Sequence, residues 1–190
     1  MNEVSNAEYW KRRWNDGETG WDLGGPCPVF RELLDSPRAP PKGRVALPGC
    51  GAGHDLRLFL EHGYEARGFD FAFAPQGLPV DLLDVFELGT RFPRHFDLIV
   101  EYTCYCAIDP ARREEYIASL RSALAPGGHL LALLFPVGGE GDGEGPPYAV
   151  REEEITTVLG KGMELLWVET PKSSVEPRLG RERLAFLRKS

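Results

Sequence analysis

The chain has 190 residues, 42% hydrophobic and 27% charged, with a net charge of −7. That length fits one domain around a single core. No apolar run approaches the roughly 20 residues of a membrane helix, and the acidic balance provides no extended basic face for nucleic acid. The amino terminus has neither the basic start nor the apolar core of a secretory leader. Cys27, Cys50, Cys104 and Cys106 are too scattered for a disulfide framework, so buried free thiols and a reducing, cytoplasmic setting are expected. Cys104-x-Cys106 lacks the spacer and the second Cys/His pair of a zinc site, so no metal is expected.

In chain order, residues 5–15 read as a helix with Trp10 and Trp14 four apart on one face. Residues 16–20 break it before Trp21. A short helix at 29–34 and a proline-rich passage at 37–41 lead to a first strand at 44–47. The chain then turns through Gly49-Cys50-Gly51-Ala52-Gly53 into a helical pattern that ends at Gly63. A second strand, 64–70, finishes in Asp70; a third lies at 80–83; a fourth, 96–101, finishes in Glu101. Asp109-Pro110 supplies a capping residue and a proline at the first helical position. The helix it starts aligns Tyr116, Ile117, Leu120 and Leu124, and stops at Pro126-Gly127-Gly128. The continuous apolar run 129–135 suits a strand covered on both faces. The glycine-acid tract 138–145 reads either as a flap or as a loop without fixed structure. A helix at 151–159 and strands at 163–169 and 183–188 follow, the two strands joined by a polar, proline-containing connection. Strands alternating with helices imply an α/β fold with a mainly parallel sheet.

In such sheets ligands sit beyond the carboxyl ends of the strands. The glycine loop, Asp70, Asp84 and Glu101 should therefore share one rim. Asp70 follows the loop by about 20 residues, the position from which an acid accepts hydrogen bonds from a ribose diol. The loop spells Gly-x-Gly-x-Gly, without the third glycine spacing that a dinucleotide pyrophosphate needs. This favours S-adenosylmethionine, which has no phosphates, over an NAD-dependent oxidoreductase. A noncatalytic cofactor-binding module on a degenerate fold is the other alternative.

Several stretches together resemble the thiopurine methyltransferase family of class I S-adenosylmethionine-dependent methyltransferases. They are Tyr9-Trp10-x-x-x-Trp14 with Gly20-Trp21, Leu47-Pro48-Gly49-Cys50-Gly51-Ala52-Gly53-His54-Asp55, Gly68-Phe69-Asp70, Phe96-Asp97-Leu98-Ile99, Ala107-Ile108-Asp109-Pro110 through Arg113, Pro126-Gly127-Gly128, and Gly145-Pro146-Pro147-Tyr148. The resemblance implies a Rossmann-like, doubly wound, seven-stranded sheet, mostly parallel with the last strand antiparallel. It implies one methyltransferase domain over 1–190, with 1–40 as a helical cap, acting as a monomer or homodimer. By the same resemblance Trp10, Trp14 and Trp21 cover S-adenosylmethionine, Leu47 and Gly49 line its methionine portion, Gly51 also binds the cofactor, and Asp70 holds the ribose. Asp84 and Val85 meet the adenine, and Tyr102 and Thr103 lie near the reactive methyl. Arg113 would stand near a small-molecule acceptor, a thiol or thiopurine or a related sulfur or selenium nucleophile, and favour its anionic form. Without the resemblance Arg113 reads as a solvent-facing arginine in the first turn of a helix, and Asp109 as a cap.

One departure from the family pattern is expected to matter. Only ten residues, 71–80, separate Asp70 from Asp81, fewer than a parallel crossover with a helix needs. Phe71 and Phe73 are expected to stand near the site in place of the lost cover.

Overall fold

A computed structural model describes residues 3–138 and 145–190. Seven strands form one sheet: β1 (Arg44–Pro48), β2 (Glu65–Asp70), β3 (Val80–Leu82), β4 (Phe96–Tyr102), β5 (Leu124–Leu134), β6 (Met163–Glu169) and β7 (Arg183–Lys189). Their spatial order is β3-β2-β1-β4-β5-β7-β6. β7 runs antiparallel to both β5 and β6, and every other pairing is parallel. Among the described residues five α-helices accompany the sheet: α1 (Ala7–Asn15), α2 (Pro28–Leu34), α3 (His54–Glu61), α4 (Leu88–Arg91) and α5 (Arg113–Ala123).

The apolar run of β5 is buried because both faces of the sheet are covered. Successive strand side chains point to opposite faces, so Leu130, Ala132 and Leu134 join Tyr116, Ile117 and Leu120 of α5 in one core. Leu131 and Leu133 join Phe30 of α2 and Phe59 of α3 in the other. The chain order reverses between β1 and β4, which lie side by side, so their carboxyl ends splay apart above the sheet and open a crevice there.

The passage from β2 to β3 contains no helix, as its length requires. Residues 71–79 return in irregular backbone to pair Gly68 with Val80 and Asp70 with Leu82. The short return is packed directly onto the glycine loop: a Cβ on Gly53, which has φ +76°, would lie 2.5 Å from Leu78 Cδ1. Leu78 thus occupies the space a side chain at 53 would need, and the left-handed backbone there already disfavours any residue but glycine.

Two elements differ from the sequence expectation. Leu124 is not on the helix face; α5 ends at Ala123, and Leu124 is extended and pairs with Phe96 as the first residue of β5. Residues 151–159 do not form an α-helix but a single π-helical turn, Ile155–Leu159, closed by Gly160 N–H donating to Ile155 O. Thr156 and Thr157 both donate their hydroxyls to Glu153 O, a local alternative to regular helix. Glu154 is meanwhile held inward by a buried ion pair. Of the tract 138–145, residues 139–144 lie outside the described residues.

Candidate cofactor and acceptor site

The crevice above β1 and β4 opens into a cavity of about 350 Å³, within the range of small-molecule sites, with a polar extension of about 70 Å³. The glycine loop forms the wall between them. Gly51 has φ +50°, and a Cβ there would lie 3.2 Å from Trp14 Cζ2, so the absence of a side chain lets the indole approach the backbone. Gly49, Gly51, Trp14, Trp21 and Thr103 line both spaces. Leu47 and Tyr102 line the extension, and Trp10, Asp70, Asp84 and Val85 line the larger cavity. Eleven of the twelve residues singled out from the sequence are thereby brought together; Arg113 lines neither space.

Asp70 is fixed by the turn that follows it. Its Oδ1 accepts from Ala72 N–H at 2.9 Å and Phe73 N–H at 3.1 Å, and its Oδ2 accepts from Gly51 N–H at 3.1 Å. Burial raises its pKa, and the amides oppose that shift. Oδ2 carries one amide only, so it keeps acceptor capacity for a hydroxyl. Asp84 is likewise positioned by an N–H, that of Phe86 at 3.0 Å, at the start of a 3-10 turn.

The aromatic cover is a connected cluster. Trp21 meets Trp10 and Trp14 edge-to-face at centroid distances of 5.4 and 5.7 Å. Trp14 stacks on Phe73 at 4.4 Å and 16°, and Phe71 lines the cavity. Phe73 therefore ties the cover to the short β2–β3 passage. Trp10 Nε1–H donates to Val4 O at 2.9 Å, which satisfies the one polar group the ring carries.

The structure places two residues, one near a strand end and one at a helix start, elsewhere than expected. Glu101 does not face the rim: it is 1% exposed and turns beneath the passage after β4, accepting the Tyr105 N–H. Burial pushes its carboxyl up to about 7. Arg113 is neither solvent-facing nor on the cavity. It is 3% exposed and pairs with Glu154 at 3.0 Å while donating to the carbonyls of Ala149 and Tyr148. The 3-10 turn Pro110–Arg112, capped by Asp109 accepting from Ala111 N–H at 3.0 Å, rotates Arg113 into the core. It is the neighbouring Arg112 that reaches the cavity, its guanidinium 3.7 Å from the Phe86 ring centroid and paired with Glu115 at 2.9 Å.

Arg178, on the β6–β7 connection, is the residue that sequence reasoning missed. It lines the cavity although only 4% exposed, and nothing local in a polar loop marks it; only the fold brings it to the site. Asp22, His54 and Asp55 line the polar extension. Asp22 pairs with His54 at 3.2 Å, and Asp55 accepts from Cys27 N–H at 2.7 Å. Burial raises the Asp55 carboxyl to about 6. All four cysteines are free. Cys104 and Cys106 line the cavity, and burial drives both thiols upward, Cys106 to about 12. They stay protonated and therefore poorly nucleophilic. Among the described residues no group of three or more His, Cys, Asp or Glu could hold a metal, and no helix is long and apolar enough to cross a membrane.

The donor set fits S-adenosylmethionine: a side-chain-free loop, a carboxylate with spare acceptor capacity, aromatic faces and a separate acidic extension. The comparisons agree. The thiopurine S-methyltransferase (TPMT) family profile matches residues 5–78 and 73–188. A probable thiol methyltransferase 2 of Arabidopsis thaliana is 33% identical over all of this chain and 88% of its own. Thiocyanate methyltransferase 1 of Brassica oleracea is 31% identical over 95% of this chain and 84% of its own. Among solved structures, the 1,6-didemethyltoxoflavin-N1-methyltransferase of Burkholderia thailandensis, with bound 1,6-didemethyltoxoflavin and S-adenosylhomocysteine, superposes with a TM-score of 0.76 at 20% identity, covering 97% of this chain and 87% of its own. The chain belongs to the thiopurine S-methyltransferase family and is an S-adenosylmethionine-dependent methyltransferase.

Proposed function

We propose that the acceptor is a small sulfur nucleophile, a thiolate or an inorganic sulfur anion. The observation that carries this reading is the acceptor end of the cavity. It is walled by Cys106, Ile108, Phe135, Pro146 and Pro147, with the cation Arg178 beside Phe135. An apolar wall strips water from a soft nucleophile, and a nearby cation favours the ionised form of a thiol. The names of the thiol and thiocyanate methyltransferase relatives point the same way.

The bound cofactor supplies a methyl group on a sulfonium, already a good leaving group. What remains for the protein is to hold two reactants in line, where positioning alone can supply several kcal/mol, about 7–11 in well-oriented cases. In this reading Asp70 takes the ribose, Asp84 and Val85 flank the adenine, and Leu47, Gly49, Tyr102 and Thr103 surround the methionine portion. Trp10, Trp14 and Trp21 exclude water and offer a cation–π surface worth about 0.5–2 kcal/mol. The segment 1–40 acts as the cap of a single domain. The enzyme works as a monomer or homodimer in the cytoplasm, without nucleic-acid or membrane partners.

Calorimetric titration with S-adenosylhomocysteine, then headspace detection of methylated product from thiocyanate, hydrosulfide and a small organic thiol, tests the proposal. Turnover of at least one sulfur acceptor is expected. Cofactor binding with turnover of nitrogen or oxygen acceptors alone would overturn it.

A further inference from the structure

We propose that Arg178 is a positioning residue that makes acceptor capture conditional on closure of the N-terminal segment over the cofactor. One guanidinium spans the two halves of the site. Its Nη2 donates to Trp21 O at 2.9 Å and to Gly20 O at 3.3 Å, gripping the backbone beside the tryptophan cover. Its Nη1 donates to Tyr102 Oη, and its face lies 5.2 Å from the Phe135 ring centroid at the acceptor end.

The N-terminal segment has few other holds. α1 buries none of its residues. Side-chain contacts of Trp14 on Phe73 and Asp22 with His54 tie it and the following loop to the site, and Asp55 holds the Cys27 N–H at the end of the loop. The grip of Arg178 is made on the backbone carbonyls of Gly20 and Trp21 beside the tryptophans, so it fixes where the chain runs and not merely where a ring lies.

Arg178 is in turn held from behind. Tyr102 Oη, which accepts from Arg178, donates to Glu182 Oε1 at 2.9 Å, and Glu182 also accepts from Ser174. Glu182 is 1% exposed, so the charge of Arg178 is balanced by a fixed carboxylate through a fixed phenol. A guanidinium has five N–H donors in a rigid fork, and three hydrogen bonds are accounted for here. If the segment lifts, the two carbonyls leave a nearly buried cation, which must turn toward water and vacate its place beside Phe135. Closure over the cofactor and order at the acceptor end are therefore one equilibrium. Binding of either ligand then strengthens the other by the same factor.

The inference takes the sulfur-acceptor reading only for its choice of probe. The affinity of S-adenosylhomocysteine is measured with and without saturating thiocyanate, and that of thiocyanate with and without S-adenosylhomocysteine. Wild type should show a reciprocal gain of roughly fivefold or more. In Arg178→Lys, which keeps the charge and loses the fork, the gain should fall to near one while S-adenosylhomocysteine still binds. Tyr102→Phe removes the hydroxyl that accepts from Arg178 and donates to Glu182 and should reduce the gain likewise, so a failure of the lysine variant to fold leaves the test intact. Hydrogen exchange of residues 3–27 with S-adenosylhomocysteine alone reads the latch without any acceptor: protection should be strong in wild type and weak in both variants. Equal protection, or an undiminished gain in the variants, overturns the inference. If the wild type binds S-adenosylhomocysteine and no sulfur acceptor, the acceptor reading fails, and the exchange measurement alone decides the latch.

Discussion

Replacing Asp70 with alanine separates the ribose assignment from the stability of the loop that carries it. The carboxylate accepts three backbone N–H groups, from Gly51, Ala72 and Phe73, so its removal both frees the loop and deletes the acceptor proposed for the ribose. Hydrogen bonds to a charged group contribute about 1.5–3 kcal/mol. The dissociation constant for S-adenosylhomocysteine should therefore rise by roughly 10- to 150-fold. The three amides stand at a partly buried position where water can reach them in part, so a further loss of about 1–2 kcal/mol in the stability of the free protein is expected. Asp70→Asn keeps the shape and one acceptor, and should lie between wild type and alanine in both measurements. Calorimetry gives the affinity, and urea unfolding of the free protein gives the stability. An alanine variant that is destabilised yet binds with unchanged affinity would refute the ribose assignment and leave Asp70 as a loop clamp only.

Arg113→Ala should destabilise the protein by about 3–5 kcal/mol, because the buried Glu154 carboxylate loses its buried cation and keeps only the exposed Arg151 at 3.5 Å. Urea unfolding checks this, and normal stability with lost methyl transfer would return Arg113 to the chemistry. Asp55→Asn should stabilise the cofactor-free protein by about 1–3 kcal/mol near pH 7.5. The native carboxyl lies at about 6 against an unfolded value near 3.8, so wild type loses stability as pH rises through that window and the amide does not. Thermal melts from pH 4.5 to 8 should show the gain shrinking toward the acid end, and a gain independent of pH would refute it. Gly53→Ala should lower stability by at least about 1 kcal/mol through its left-handed φ. Adding Leu78→Ala should relieve the 2.5 Å approach without restoring wild-type stability, and full restoration would show that backbone strain plays no part.

The strand ends and the glycine loop were legible because their signals are local. An apolar run, a spacing of glycines and an acid at the end of a strand are all read within a dozen residues, and the parallel topology then places them on one rim. Arg113 and Glu101 were misplaced because orientation depends on a turn geometry that spacing does not encode. The 3-10 turn Pro110–Arg112 inserts a tighter pitch before α5, and this exchanges which of two adjacent arginines reaches the cavity. Glu101 ends a strand as Asp70 does, yet it is drawn under the chain by the Tyr105 amide while Asp70 stays on the rim. Arg178 had no local signal at all, since its partners Gly20 and Trp21 lie 158 and 157 positions away.

The missing helix between β2 and β3 removes backbone from the layer beside the end proposed for the adenine, yet the cavity keeps a cover there. What the helix would supply at that point is a surface; Phe71 lines the cavity there, and Phe73 and Leu78 brace the passage from irregular backbone. Phe73 does so by stacking on Trp14, which makes the cover continuous with the N-terminal segment. Leu78 does so by filling the space over Gly53, so the loop glycine is constrained by the shortened passage as well as by its own φ. The cover at this end thus depends on the N-terminal segment being in place. Arg178 grips that segment at Gly20 and Trp21, so under the proposed latch the segment supports both ends of the cavity, and its opening would dismantle both at once.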